Sequence, residues 1–112
     1  MKGHARFIRL ITMNVKRGKG NSFVRMFERD IASSSINLKG LRRLYLLRSH
    51  ANRDDFVVLS FWNTKRDAER YATGEQFNRN AVKLAKYLRK KQRTSKFDVQ
   101  LHTVGEAFEP GE

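Results

Sequence analysis

The sequence predicts an α+β domain of ferredoxin-like order, β-α-β-β-α-β, with an antiparallel sheet and a second helix split in two. Runs suited to strands and regions of helical spacing alternate in that order. The third strand run, 56–62, reads Phe-Val-Val-Leu-Ser-Phe-Trp and is nearly continuous in apolar residues, as a central strand covered on both faces would be. It passes directly into Thr64-Lys-Arg-Asp67, a helix start in which Asp67 stands for the usual Glu or Gln of a capping box.

Residues 6–16 form the first predicted strand. Phe7, Arg9, Ile11, Met13 and Val15 alternate with Ile8, Leu10, Thr12 and Asn14, so both faces carry apolar side chains. A turn follows at 17–21, with glycines able to take positive φ. Asn21 or Ser22 is placed to cap the first helix. Its apolar stripe is Phe23, Phe27 and Ile31, with Val24 beside them. The helix should fade through 32–37, where serines compete for backbone hydrogen bonds. Gly40 opens the second strand, 41–48, with Leu41, Leu44, Leu46 and Leu47 as its apolar residues. A polar loop at 49–55 leads to the third strand. The second helix runs to about residue 72, breaks at Gly74, where a second capping signal begins at Thr73, and resumes from 75 to about 91. Its second piece offers Phe77, Ala81, Leu84, Ala85 and Leu88 to the core, and Arg79, Lys83, Lys86 and Lys90 as a basic stripe. The last strand is expected at 97–104, where Phe97, Val99, Leu101 and Thr103 alternate with Asp98, Gln100, His102 and Val104.

A chain of 112 residues is expected to form one domain over 1–112, with a core at 6–104 and a loose acidic tail at 105–112. There are no cysteines, which excludes disulfides, thiolate metal sites and a cysteine nucleophile. No apolar run approaches the ~20 residues needed to span a membrane. The N-terminus lacks the apolar core of a signal peptide, so a cytoplasmic protein is expected. The formal charge of +13, from 24 Lys and Arg against 11 Asp and Glu, favours anionic company but says nothing of specificity.

RNA is the first anionic partner to weigh. An RNA-recognition module stacks bases on aromatics of its first and third strands. Here the third strand opens on Asp54-Asp55-Phe56 instead of a basic residue, glycine and aromatic, and two carboxylates there would repel phosphate. Nucleic acid is therefore not the expected partner. His4, His50 and His102 share no ligand spacing, so no metal is expected. No serine sits in a nucleophile elbow. What remains is an apolar pocket between helices and sheet, where Phe27, Trp62, Tyr71 and Phe77 can meet; Phe27 and Phe77 fit a packed core better than a pocket wall, and Trp62 and Tyr71 fit either. Asn14 would add a polar handle, because an amide in a strand covered on both faces needs a partner or a wet cavity.

Taken together, these pieces resemble the antibiotic biosynthesis monooxygenase family of the dimeric α+β barrel group. The matching segments are 8–18, Phe23 with Phe27, 40–48, and 55–64 with Trp62. Asp67-Ala-Glu-Arg-Tyr71 and Gly74-Glu-Gln-Phe77 complete the match. The strand-Trp-x-Thr-x-x-x-Ala junction is its most specific part. The resemblance implies a homodimer whose sheets pack face to face, and a pocket in each subunit between sheet and helices. Some members oxidise aromatic polyketides or quinols with no cofactor, and others degrade heme. The heme-degrading branch pairs an Asn on the first strand with a Trp and, ten residues on, a His on the helix after the third strand. Tyr71 falls at that Trp position, Ala81 at the His position and Ile11 near the Asn position, with Asn14 offset. The missing His argues against heme.

The expected function is therefore cofactor-free oxidation, or binding alone, of an aromatic phenol- or quinol-like molecule. Trp62 and Phe27 would stack on its ring, Asn14 and Tyr71 would hydrogen-bond its oxygens, and Arg9 would stabilise a phenolate. The rival is a non-enzymatic binding or structural protein of the same fold, meeting nucleic acid or another polyanion through the Arg79 to Lys90 stripe.

Overall fold

The computed structural model describes residues 4–105. Four strands form one antiparallel sheet: β1 (Phe7–Asn14), β2 (Leu41–Arg48), β3 (Asp55–Trp62) and β4 (Arg93–Asp98), in the order β2-β3-β1-β4. β1 and β3, the most apolar strands, take the centre, with Phe7 opposite Trp62 and Asn14 opposite Asp55. Helix α1 (Gly20–Met26) continues through a π-helical segment, Phe27–Ala32, into α2 (Ser33–Ser35). After β3 come α3 (Lys65–Ala72) and α4 (Glu75–Ala85), so the predicted split in the second helix is present. Thr64 caps α3, its hydroxyl accepting from the Asp67 N–H at 3.0 Å.

All helices lie on one face of the sheet. Odd residues of β1 and even residues of β3 turn toward them, and Phe7, Ile11, Met13, Phe56, Val58 and Trp62 are buried there with Phe23, Phe27 and Ile31. The opposite parity puts Ile8, Leu10, Leu59 and Phe61 on the other face, where no helix among the described residues covers them. Tyr45 and Phe97 share that face and are exposed by 43% and 49%.

Several boundaries differ from the sequence expectation. The first helix starts at Gly20 with Lys19 as its uncapped N-terminus; Asn21 instead accepts from the Arg48 guanidinium at 2.9 Å. The serines extend that helix to Ser35 by turning back on it. Ser34 donates to the Asp30 carbonyl at 2.9 Å, Ser35 to that of Ile31 at 2.7 Å, and Ser33 to that of Arg29. Helix α4 stops at Ala85, short of 91, because the chain beyond it extends the edge of the sheet. Val15 pairs with Leu88, Lys16 N–H donates to Tyr87, and Arg89 N–H donates to Asn14. The last strand lies at Arg93–Asp98, earlier than the expected 97–104. All six of its residues are exposed, so its sequence carries no apolar alternation. Of the expected tail, residues 106–112 lie outside the described residues.

Candidate functional site

β3 delivers Trp62 to the sheet's end, and the Thr64 cap starts α3 at once, which carries Tyr71 back over the indole. Trp62 is only 1% exposed. Its Nε1–H donates to the Ser60 hydroxyl at 2.8 Å, which satisfies the buried indole. The Tyr71 ring stacks on it with centroids 5.6 Å apart. Phe77, at the start of α4, meets Tyr71 edge-on at 5.5 Å. The break at Gly74 lets these two helices place both rings over the same end of the sheet.

Beneath them lies a cavity of about 50 Å³. Its floor is the sheet, with Arg9, Ile11 and Met13 from β1 and Val58, Ser60 and Trp62 from β3; Phe27 and Ile31 close one side, and Phe77, Asn80, Ala81 and Leu84 another. That volume holds a few waters and falls below the ~300 Å³ at which ligand pockets usually begin. An aromatic ring therefore enters only by displacing lining side chains.

Arg9 is the unusual wall. It is 6% exposed, its guanidinium lies over the Phe77 ring at 5.5 Å, and its Nε has no hydrogen-bond partner. Burial pulls its pKa down, and the nearby Tyr71 opposes the shift. Burial pushes the Tyr71 phenol up, while the Asn80 hydrogen bond and the Arg9 charge oppose it. Asn80 is 2% exposed and donates its amide N–H to the Tyr71 oxygen at 2.9 Å. Gln76 orients Asn80 from the previous turn, donating to its Oδ1 at 3.4 Å and to the Ser34 hydroxyl at 2.9 Å.

Of the residues singled out from sequence, Arg9, Phe27, Trp62 and Tyr71 meet at this cavity. Asn14 does not. It sits on the opposite parity of β1 from Arg9, and its amide donates to Asp55 at 2.7 Å. Asp55 is also paired with Arg89 at 3.0 Å, at the end of the central strands away from Trp62. The hydrogen bond from Asn14 and the contact with Arg89 keep the Asp55 carboxyl below the usual range. Ser60 and Asn80 were not singled out, yet each has a signal. Ser60 interrupts the helix-facing series Phe56, Val58, Trp62, and Asn80 lies between Phe77 and Leu84 at helical spacing.

No group of three or more His, Asp or Glu placed to hold a metal ion exists among the described residues. Heme does not fit the residues present either. No histidine lines the cavity among the described residues, Ala81 stands on its wall, and its volume is about 50 Å³. No helix among the described residues is long and apolar enough to cross a membrane.

A ferredoxin-like sheet with one helical face and a cavity between them defines a small α+β protein, and that architecture hosts many functions. The family model for antibiotic biosynthesis monooxygenases matches residues 6–82, more than half of the chain, and the chain belongs to that family. No curated protein sequence matches it closely. Solved structures share its fold. A protein from Nitrosomonas europaea described as an antibiotic biosynthesis monooxygenase superposes with a TM-score of 0.73 at 18% identity, covering 85% of this chain and 99% of its own. A conserved protein from Methanosarcina mazei gives 0.71 at 16%, with 84% and 93% covered. The heme degrader MhuD from Mycobacterium tuberculosis, which holds two hemes in its active site, gives 0.73 at 19%, with 88% and 99% covered.

Proposed function

We propose that this protein binds a small phenol- or quinol-like aromatic molecule in the cavity between sheet and helices and oxidises it with O2, without a bound cofactor. The observation that most supports this reading is the aromatic wall of Trp62, Tyr71 and Phe77 around a cavity lined by buried Arg9. Trp62 and Phe27 would contact the ring, while Tyr71 and Arg9 would meet its oxygens. An ionised phenol supplies the electrons. A carbon–oxygen bond forms at the ring carbon para to the phenolate, the O–O bond breaks, and the second oxygen leaves as water. The phenol hydrogen and the para hydrogen go into that water, and a quinone remains. The protein's part is positioning and stabilising the ionised substrate.

The same reading takes the protein as a cytoplasmic homodimer. Ile8, Leu10, Tyr45, Leu59, Phe61 and Phe97 form a helix-free apolar sheet face, which a second sheet would cover. Phe61→Arg should then convert a dimer to a monomer in analytical ultracentrifugation.

The direct test is O2 uptake with dithranol, an anthrone. Uptake by the wild type above that of Trp62→Ala and Trp62→Phe is expected; equal rates for all would remove the oxidative reading. Binding without turnover is favoured by one observation: among the described residues no Asp, Glu or His lines the cavity to act as a general base. The polyanion alternative has exposed Lys83, Lys86 and Lys90, but Arg79 on that stripe is tied to Glu75 at 3.3 Å. Salt-dependent RNA binding would be its mark.

A further inference from the structure

The polar groups facing the cavity are matched to one kind of ligand. Arg9 is buried, its Nε has no hydrogen-bond partner, and it is in no ion pair among the described residues. Its guanidinium lies over the face of Phe77. A buried charge without a counter-charge is costly, and proteins keep one where a ligand supplies the missing partner.

The neighbouring hydroxyls have the same polarity. The Tyr71 oxygen already accepts from Asn80, whose orientation is fixed by Gln76, so the phenol's own hydrogen is left to donate. Ser60 is opposite Arg9 in the sheet and on the same face. Its oxygen accepts from Trp62, and its hydrogen likewise has no acceptor among the described residues. The Asn80 carbonyl accepts from Gln76 at 3.4 Å. Gln92 also lines the cavity, and its amide can donate as well as accept. Among the described residues no Asp, Glu or His stands on the lining to remove a proton from an incoming acid.

We infer that the cavity is an oxyanion site: its ligand is an aromatic ring bearing a carboxylate or an ionised hydroxyl, held by Arg9 with Tyr71 and Ser60 as further donors. This rests on the small-molecule reading above and narrows it to molecules that are bound already ionised. A neutral ring of the same shape leaves Arg9 unpaired and gains only the stacking.

The test compares charged and neutral isosteres on the full chain: benzoate against benzamide, and 4-nitrophenolate against 4-nitroanisole. Trp62 is the sole tryptophan, so its indole N–H gives one resolved NMR signal at the cavity wall. The anions should shift that signal with affinities at least about tenfold above their neutral counterparts, the yield expected of a hydrogen bond to a charged group. Benzoate binding above 4-nitrophenolate would assign a carboxylate, and the reverse order a phenolate. Arg9→Met should erase the preference while neutral binding survives, and Arg9→Lys should keep part of it. Benzoate should raise the wild-type Tm more than benzamide, a comparison that needs no variant. Neutral compounds binding as tightly as anions would overturn the oxyanion site and leave the small-molecule reading standing. No shift with any of the four would overturn both.

Discussion

The indole of Trp62 and the phenol of Tyr71 lie stacked, ring centroids 5.6 Å apart and planes 28° from parallel. This pair joins the sheet to α3 and forms one wall of the cavity. Trp62 also tethers Ser60 through its N–H. Trp62→Ala should therefore cost about 3–5 kcal/mol of stability, read by urea denaturation followed by circular dichroism. Trp62→Phe keeps an aromatic ring and loses the hydrogen bond, so it should cost roughly 1–2 kcal/mol. A loss below ~1 kcal/mol for Trp62→Ala would show that the ring is not packed as described.

Asn80 sits in the middle of the apolar face of α4, yet it is buried to 2% exposure. It is tolerated there because Tyr71 and Gln76 satisfy it. Asn80→Leu removes the donor to Tyr71 and one of the two acceptors of the Gln76 amide, for an expected loss of about 1–3 kcal/mol. It also removes the hydrogen bond that opposes the upward shift of the Tyr71 phenol. The Tyr71 titration should then move further up, measured by ultraviolet absorbance against Tyr71→Phe to separate it from the other two of the three tyrosines. An unchanged titration would mean that Asn80 does not touch the phenol.

Strand and helix order was legible because hydrophobic period and turn chemistry agree in the central elements. β2 and α3 begin and end where Gly40, Thr64 and Gly74 punctuate the chain. β4 was misplaced because an exposed edge strand is held by backbone hydrogen bonds to β1, which leave no mark on side-chain pattern. The end of α4 was misplaced for a related reason: the backbone of Leu88 and Arg89 pairs with Val15 and Asn14, a contact no local signal announces. At the site, the aromatics were legible from position. Asn14 was assigned by residue type against its own strand parity, which sets it opposite to Arg9. Ser60 and Asn80 are polar residues on apolar faces, and only tertiary hydrogen bonds tell such interruptions from surface positions.

Asp55 links pH to the far end of the central strands. The Asn14 amide, then Arg89, favour its ionised form and lower its pKa in the fold. A carboxyl whose folded pKa lies below its unfolded value near ~3.9 stabilises the fold above that pH. The contribution is lost as pH falls through the folded pKa, so wild-type stability should drop below about pH 4. Asp55→Asn should flatten that part of the acid profile, seen as a smaller change in Tm between pH 5 and pH 3. An identical acid profile for both proteins would place the acid-sensitive carboxylates elsewhere.

Gly40 and Gly18 both take positive φ, +83° and +77°, but they face different surroundings. A Cβ at Gly18 meets nothing within 4 Å, whereas one at Gly40 would collide with the Asp67 carboxylate. Asp67 is engaged there: its N–H bonds the Thr64 cap and its carboxylate pairs with Arg70 at 2.9 Å. The Gly40 carbonyl also accepts from the Asn63 N–H at 2.8 Å, fixing the exit of β3 beside Trp62. Gly18→Ala should therefore cost only the backbone penalty of about 1–2 kcal/mol. Gly40→Ala adds displacement of Asp67 to that penalty and should cost more, by about 1 kcal/mol or above. It should also disturb the Trp62 indole NMR signal, which Gly18→Ala should leave in place. Equal losses for the two, with the indole signal unmoved, would show that the start of β2 does not brace the cavity.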